Sequence, residues 1–477
     1  MFTSVPHRRM ASTSVNSQSE LIPLGHNWFI HNPEHRSVRE RYEAIPPDHD
    51  GIPAAEESLG AVVRVLRQVG GCRACIAPCL HRGACHDPDF GSAPSVVLHV
   101  TLLDVQILDM LHLLSSTTPV HLYIGNPLTT GTPFDTYSPE KLAVPESVLP
   151  GDPIFSTRTE RVTVLGAYLH PADDSAQYGL TVGHAVVPQV SFLPHAQLLP
   201  RPEKDRRHVR NSRLALQHVG QPLSSPSVKV VERALQAHEA EASLLFADPQ
   251  GGGSGTSSTS DPRLIARLRQ YEVEHETLRN ALARPRELDI AHACAAEAII
   301  RPCRASDHRG EAEPAEEGGA HTHLLSWALV RMSSRAGDNP RTLLAQPGTL
   351  ARGAAVAMHV RDPNIERPLG PYRSGVVNGA PASVVVGGYV AREWAVFPAP
   401  GWAGSKFAAR GDAGALITAA PAGGREGPTA PLALLYAVPE RGPYGLVTPL
   451  STIVRRIRDV TGMELRFQRD WGRDENI

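Results

Sequence analysis

From about residue 151 the chain divides its apolar residues into short runs, each closed by glycine, proline or a polar cluster. The runs include RVTVLGAY (161–168), YGLTVGHAVV (178–187), LLSWALVRM (324–332), SVVVGGYVA (383–391), GALITA (414–419) and PLALLYAV (431–438). Runs this short do not make long helices. Rich in β-branched and apolar residues and punctuated by turn formers, they predict a mainly β fold whose strands curl into a barrel or sandwich. The 42 prolines and 40 glycines supply the turns. STIVRRIRDVT (451–461) predicts a closing helix.

A length of 477 residues suits two or three domains. Residues 1–50 are polar and rich in histidine and arginine, and read as a disordered tail. Residues 51–135 read as a small α/β domain. It has a helix over 55–68 with Leu59, Val62, Val63 and Leu66 on one side, a strand over 95–101, a helix over 103–114 and a strand over 119–125. The β-rich domain runs over 150–465, and 466–477 form a second tail. No apolar run approaches the roughly 18–20 residues that cross a bilayer. The first 19 residues lack the apolar core of a secretory signal, so a cytoplasmic protein with reduced thiols is expected; a mitochondrial transit peptide is the alternative. A formal net charge of −2 gives no sign of nucleic-acid binding. The basic stretch Arg201–Arg213 has no interleaved aromatics and reads as a solvated loop, and 305–322 as a disordered acidic one.

An insertion over 225–284 carries a different period. Ser225–Pro226 and Asp261–Pro262 each place a cap residue before a proline suited to the first helical position. Val228, Val231, Leu235, His238, Ala242 and Leu245 follow the first; Leu264, Leu268, Tyr271, His275, Leu278 and Leu282 follow the second. Steps of three and four predict two helices packed as an antiparallel coiled-coil hairpin. His238 and His275 fall on its seam, either as partly buried core histidines or as a pH-sensitive or metal-binding pair.

Cys72, Cys75, Cys79 and Cys85 lie close together in what reads as a basic loop over 72–87, with His81 and His86 among them. They are candidate ligands for a structural zinc, which needs four deprotonated donors in a tetrahedron. Free thiols or incidental disulfides are the other readings. Cys294 and Cys303 lack further ligand spacing.

Three segments carry the functional argument: Leu180-Thr181-Val182-Gly183-His184-Ala185, Leu325-Ser326-Trp327-Ala328-Leu329-Val330-Arg331-Met332, and Gly411-Asp412-Ala413-Gly414-Ala415-Leu416-Ile417. They resemble, in order, the histidine motif, the acid-bearing strand and the Gly-Asp-Ser-Gly nucleophile loop of the trypsin/chymotrypsin family. Tyr444–Leu450 and the helix after it resemble that family's last strand and C-terminal helix. The resemblance covers roughly 151–465. It implies a chymotrypsin-like double β-barrel, with the helical hairpin inserted and the small α/β domain in front.

The resemblance also assigns roles. His184 takes the base position, Ala413 the nucleophile position, and the N–H groups of Gly411 and Ala413 the oxyanion hole. The acid position falls on Ser326 or, alternatively, on Asp289 of Asp289-Ile290-Ala291-His292, where the following ACAAEA reads as helical or irregular. Phe407 falls at the floor of the specificity pocket. Asp412 needs a partner other than a newly cut N-terminus. A hydroxyl at the nucleophile position forms the acyl-enzyme; Ala413 has only a methyl. The expectation is therefore a pseudoprotease that binds a peptide or protein, without a cofactor and without nucleic-acid or membrane partners. A working endopeptidase with another nucleophile, such as Ser405, and a purely structural scaffold are the rival readings.

Overall fold

The computed structural model describes residues 21–25, 28–31, 41–68, 73–82, 94–100, 120–124, 132–133, 147–156, 159–171, 176–186, 222–224, 228–246, 262–284, 288–303, 321–332, 337, 339, 343, 346–360, 373–386, 389–400, 406–420, 429–440 and 442–467. The expected helix over 103–114, the stretch Arg201–Arg213 and the loop 305–322 lie outside them.

The first part of the chain forms β1 (Leu21–Gly25), β2 (Trp28–His31), β3 (Arg41–Glu43), α1 (Ile52–Gln68), β4 (Arg73–Arg82), β5 (Pro94–Val100), β6 (Val120–Ile124) and β7 (Thr132–Pro133). Then come β8 (Pro153–Ser156), β9 (Arg161–Val164), β10 (Ala167–Pro171), β11 (Tyr178–Thr181) and β12 (Pro222–Ser224). Helices α2 (Val228–Phe246) and α3 (Pro262–Ala283) precede the long hairpin of β13 (Asp289–Cys303) and β14 (His321–Met332). The remainder is β15 (Ala355–His359), β16 (Arg373–Val377), β17 (Ala382–Val386), β18 (Tyr389–Pro398), β19 (Leu416–Ala419), β20 (Pro431–Ala437), β21 (Gly445–Pro449), α4 (Leu450–Thr461) and β22 (Leu465–Arg466).

The fold is mainly β. Strands β16, β15, β19, β20 and β21 follow one another, and β18 pairs with both β16 and β21, which closes a six-stranded barrel. A second sheet, ordered β22-β10-β11-β14-β13-β12-β8-β9-β7, curls into a half-barrel. The apolar runs read from the sequence fall on these strands, and Val356, Met358, Val396, Phe407, Ile417, Ala433, Leu435 and Val447 share one core cluster in the closed barrel.

Three expectations change. In the expected tail over 1–50 the described residues include β1, β2 and β3: β1 pairs with β2, β2 with β6, and β3 with β4. The segment 72–87 is not a loop where it is described: Arg73–Arg82 is a strand that pairs with β5, β3 and β17. Through the β4–β17 pairing, the sheet of the N-terminal α/β unit continues into the barrel strands. Asn378 stitches the same junction, accepting from the Ile45 N–H at 2.7 Å and donating to the Pro78 carbonyl at 2.8 Å. The residues after Asp289 are also extended. Ala-rich ACAAEA has the local preference of a helix, but antiparallel pairing with β14 along its length overrides it.

Helices α2 and α3 pair with each other, and Val231, Leu278 and Leu288 form their shared apolar cluster. Across the seam His238 lies 3.2 Å from Glu274 and His275 3.6 Å from Glu239. Tyr271 stacks on both imidazoles, with centroids 5.0 and 5.7 Å away. A tyrosine ring thus separates the two histidines, so they do not share a metal ion.

Helix α4 is fastened to the half-barrel by a buried ion pair. Arg456 donates from Nε and Nη2 to the two carboxylate oxygens of Glu297 at 2.8 and 2.7 Å, and Trp327 Nε1 donates to the same carboxylate at 3.1 Å. Removing one partner of such a pair leaves a charge stranded in low dielectric. Arg456→Met is expected to cost about 3–5 kcal/mol in urea unfolding, and Glu297→Met with Arg456→Leu to recover part of that loss. A single variant with native stability would contradict this role.

Candidate functional site

The site lies where the half-barrel meets the closed barrel. Strand β11 ends at Thr181, and the chain turns tightly over Gly183–Ala185 to present His184. Gly183 permits this turn, because a Cβ there would lie 1.9 Å from the carbonyl oxygen of Glu297 and 2.8 Å from that of Trp327. The neighbouring strand β14 then brings Ser326 to the imidazole. His184 Nδ1 is 2.9 Å from Ser326 Oγ, across 142 residues of sequence, and the His184 N–H donates to the same oxygen at 3.4 Å.

The third segment is a turn held from both sides. Ala413's carbonyl accepts from the Val164 N–H at 2.9 Å and from Thr163 Oγ1 at 2.5 Å, while the Gly414 N–H donates to Leu435 of the closed barrel at 2.7 Å. Gly414 has φ +101°, and a Cβ there would lie 2.2 Å from the Val164 carbonyl, so the turn requires glycine on two counts. Thr163 Oγ1 is also 3.4 Å from Thr181 Oγ1, which ties the turn to the strand that carries His184. Among the described residues, no backbone hydrogen bond uses the N–H of Gly411 or of Ala413.

Asp412 finds its partner in Arg373, at 2.5 Å, and also accepts from the Ala409 N–H at 2.6 Å. Burial pushes its carboxyl above the ordinary range even so, with Arg373 acting against the rise. Arg373 on β16 carries no motif that sequence reasoning could have used.

All three positions are sealed: His184 is 0%, Ala413 1% and Ser326 2% exposed. Burial, and then the charge of Arg161, hold His184 well below its usual pKa. Its Nε2 is buried and, among the described residues, has no hydrogen-bond partner. Arg161 is itself lowered, by burial and by the neighbouring Arg410. Serine differs from a carboxylate at this position in a way that matters: it can donate to Nδ1, and so permits the tautomer with the proton on Nε2. A carboxylate only accepts, which keeps Nε2 free to take a proton.

The other candidates sit elsewhere. Asp289 is at the far end of β13, nine residues before Ala298, the register partner of Ser326. That is roughly 30 Å along the strand, too far to orient His184. Phe407 is core, 1% exposed, and a Cβ on Gly375 would lie 2.5 Å from its ring. Cys75 and Cys79 are buried on β4, about 13 Å apart along it, whereas one zinc would need both sulfurs within about 2.3 Å. Burial pushes the Cys75 thiol up to about 12 and Cys79 well above its usual value, so neither is a ready thiolate. Cys72 and Cys85 lie outside the described residues, as does Ser405. Among the described residues no group of three or more metal-ligating side chains gathers, and no helix is long and apolar enough to cross a membrane.

No protein-family model matches the chain, and no curated protein matches it. The reading of the site therefore rests on its own geometry.

That geometry has a pH signature. An imidazole in the unfolded chain titrates near pH 6.5, whereas burial holds His184 well below that and His359 down to about 4. As pH falls below about 6.5 the unfolded state binds protons first, so stability is full above that value and erodes below it, until the folded imidazoles protonate. Urea unfolding is expected to weaken between about pH 7 and about pH 5, by up to about 1.4 kcal/mol per pH unit for each histidine. His359→Gln should lessen the slope. Stability that is flat over this range would contradict the burial of the two rings.

Proposed function

We propose that the chain is a protease-like double β-barrel that does not cut: a pseudoprotease that binds a peptide or protein segment. The half-barrel takes the place of the first barrel and the closed barrel that of the second. The observation that carries the reading is the 2.9 Å contact of His184 Nδ1 with Ser326 Oγ beside the pinned Gly-Asp-Ala-Gly turn. The residue that the resemblance puts at the acid position lies against the imidazole, which supports the reading.

The chemistry then follows from what is missing. A methyl at 413 cannot attack a carbonyl, and the turn that holds it admits no substitute. A serine at 326 neither fixes the tautomer nor stabilises an imidazolium. A base works best with a pKa near the operating pH, and His184 is held well below neutrality. What persists is the pair of backbone donors at Gly411 and Ala413, which depends on no side chain.

The burial of His184, Ser326 and Ala413 favours a second reading, in which the former centre is packing alone and the chain is an interaction scaffold. Both readings predict no turnover. They part on whether the remnant can be rebuilt.

Hydrolysis of a peptide library by the native protein, Ala413→Ser, and Ala413→Ser with Ser326→Asp tests this. The native protein is expected to be silent. The single variant should stay within about 10⁻⁴ of a complete triad, because the orienting acid is still missing. The double variant should gain cleavage that His184→Ala abolishes. A silent double variant would favour the scaffold. Cleavage by the native protein that survives repurification would overturn both readings.

A further inference from the structure

The seam of α2 and α3 carries two crossed pairs of metal-ligating side chains. His238 on α2 meets Glu274 on α3, with Nε2 3.2 Å from Oε2, and His275 on α3 meets Glu239 on α2, with Nε2 3.6 Å from Oε1. Each pair thus takes one nitrogen donor and one oxygen donor from opposite helices. Tyr271 stacks on both imidazoles, at interplanar angles of 26° and 24°, which fixes how the rings stand. Gln270 donates to Glu274 Oε1 at 2.8 Å, so Oε2 is the oxygen left toward His238. His238 Nδ1 is buried and has no partner among the described residues, so Nε2 is the nitrogen through which that ring can act. Both rings are mostly buried, whereas both carboxylates are about half exposed and open to water.

We propose that each crossed pair is a two-donor site for a zinc ion, and that zinc clamps the helical hairpin across its seam. The clamp is independent of whether the barrels cut peptides. Zinc bonds imidazole nitrogen at about 2.0–2.1 Å and carboxylate oxygen at about 2.0–2.2 Å, so tetrahedral angles place two such donors about 3.4 Å apart. The observed separations of 3.2 and 3.6 Å lie on either side of that spacing. The imidazole supplies its Nε2 lone pair with its proton on Nδ1, the carboxylate supplies charge, and water completes the tetrahedron. Tyr271 and Gln270 hold the donors in place, as outer partners of metal ligands do. As ion pairs alone, contacts with carboxylates this exposed contribute little to stability. A bound zinc changes that, because opening the hairpin breaks one of its two protein bonds, and binding is thereby linked to closure.

The test is hydrogen exchange of the full chain, read by mass spectrometry on peptides from α2 and α3, with zinc chloride and again after EDTA. Calorimetric titration gives the dissociation constant and the number of ions bound. At about ten times that constant, zinc should slow exchange in both helices by about ten-fold for each ion, and EDTA should reverse the effect. Magnesium at the same concentration should not slow it, because that ion prefers oxygen donors and keeps its waters. His238→Gln with His275→Gln should abolish the slowing and lower zinc uptake by about two ions per chain. Those substitutions also remove the ring stack, so Glu239→Gln with Glu274→Gln is the second variant: it keeps the stack and should lose the same ions. The other histidines and cysteines of the chain are common to native protein and variants, so the difference between them reports the seam. Hairpin exchange that is unchanged by zinc, or slowing and zinc uptake that survive the glutamate variant, would overturn the clamp.

Discussion

The carbonyl of Ala413 is a point at which the two halves of the β structure are joined. It accepts from Val164 and Thr163 of the half-barrel, while the next residue donates to Leu435 of the closed barrel. Gly414 makes this possible, since any side chain there would strike the Val164 carbonyl. Because Thr163 also reaches Thr181, the same few bonds fix where β11 ends and hence where His184 stands. The turn therefore has a structural duty that is independent of the side chain at 413. On the proposed reading, a methyl in place of a hydroxyl at that position costs chemistry without costing the fold.

Burial decides the character of what remains. His184 is fully buried, with one ring nitrogen against Ser326 and the other without a partner among the described residues. A buried carboxylate at 326 would stabilise a protonated ring; a serine does not, and Arg161 opposes protonation further. Two buried carboxylates in the same region are matched by arginines. Glu297 holds Arg456 with two hydrogen bonds, and Asp412 holds Arg373. The first pair ties the C-terminal helix to the half-barrel. The second ties the turn's own carboxylate to β16 of the closed barrel.

Much of this could be read in the sequence where local pattern and tertiary role agree. The short apolar runs are strands, and the helical periods after Pro226 and at Pro262 are the paired helices. His184 and Ser326, which only the family resemblance paired, lie 2.9 Å apart. The failures arise where tertiary pairing overrules local preference. ACAAEA has the composition of a helix but is held extended by β14, and the cysteine-rich segment looked like a loop although β5 and β17 pair with it. Glu297 was hidden in the first of these segments. Arg373 was invisible for another reason: it is a single arginine whose importance comes from the turn it holds, and no spacing rule signals that.

The most direct test of the account is covalent labelling of the native protein with a fluorophosphonate, followed by peptide mapping of any adduct. Such a probe reacts with a serine hydroxyl only where a base activates it. The account predicts no stoichiometric adduct, because the residue at the apex of the turn is Ala413 and because Ser326, the hydroxyl touching His184, is packed out of reach. A stoichiometric adduct on any serine, lost when His184 is replaced, would mean that an activated nucleophile survives in the chain and that the reading of a silent centre is wrong.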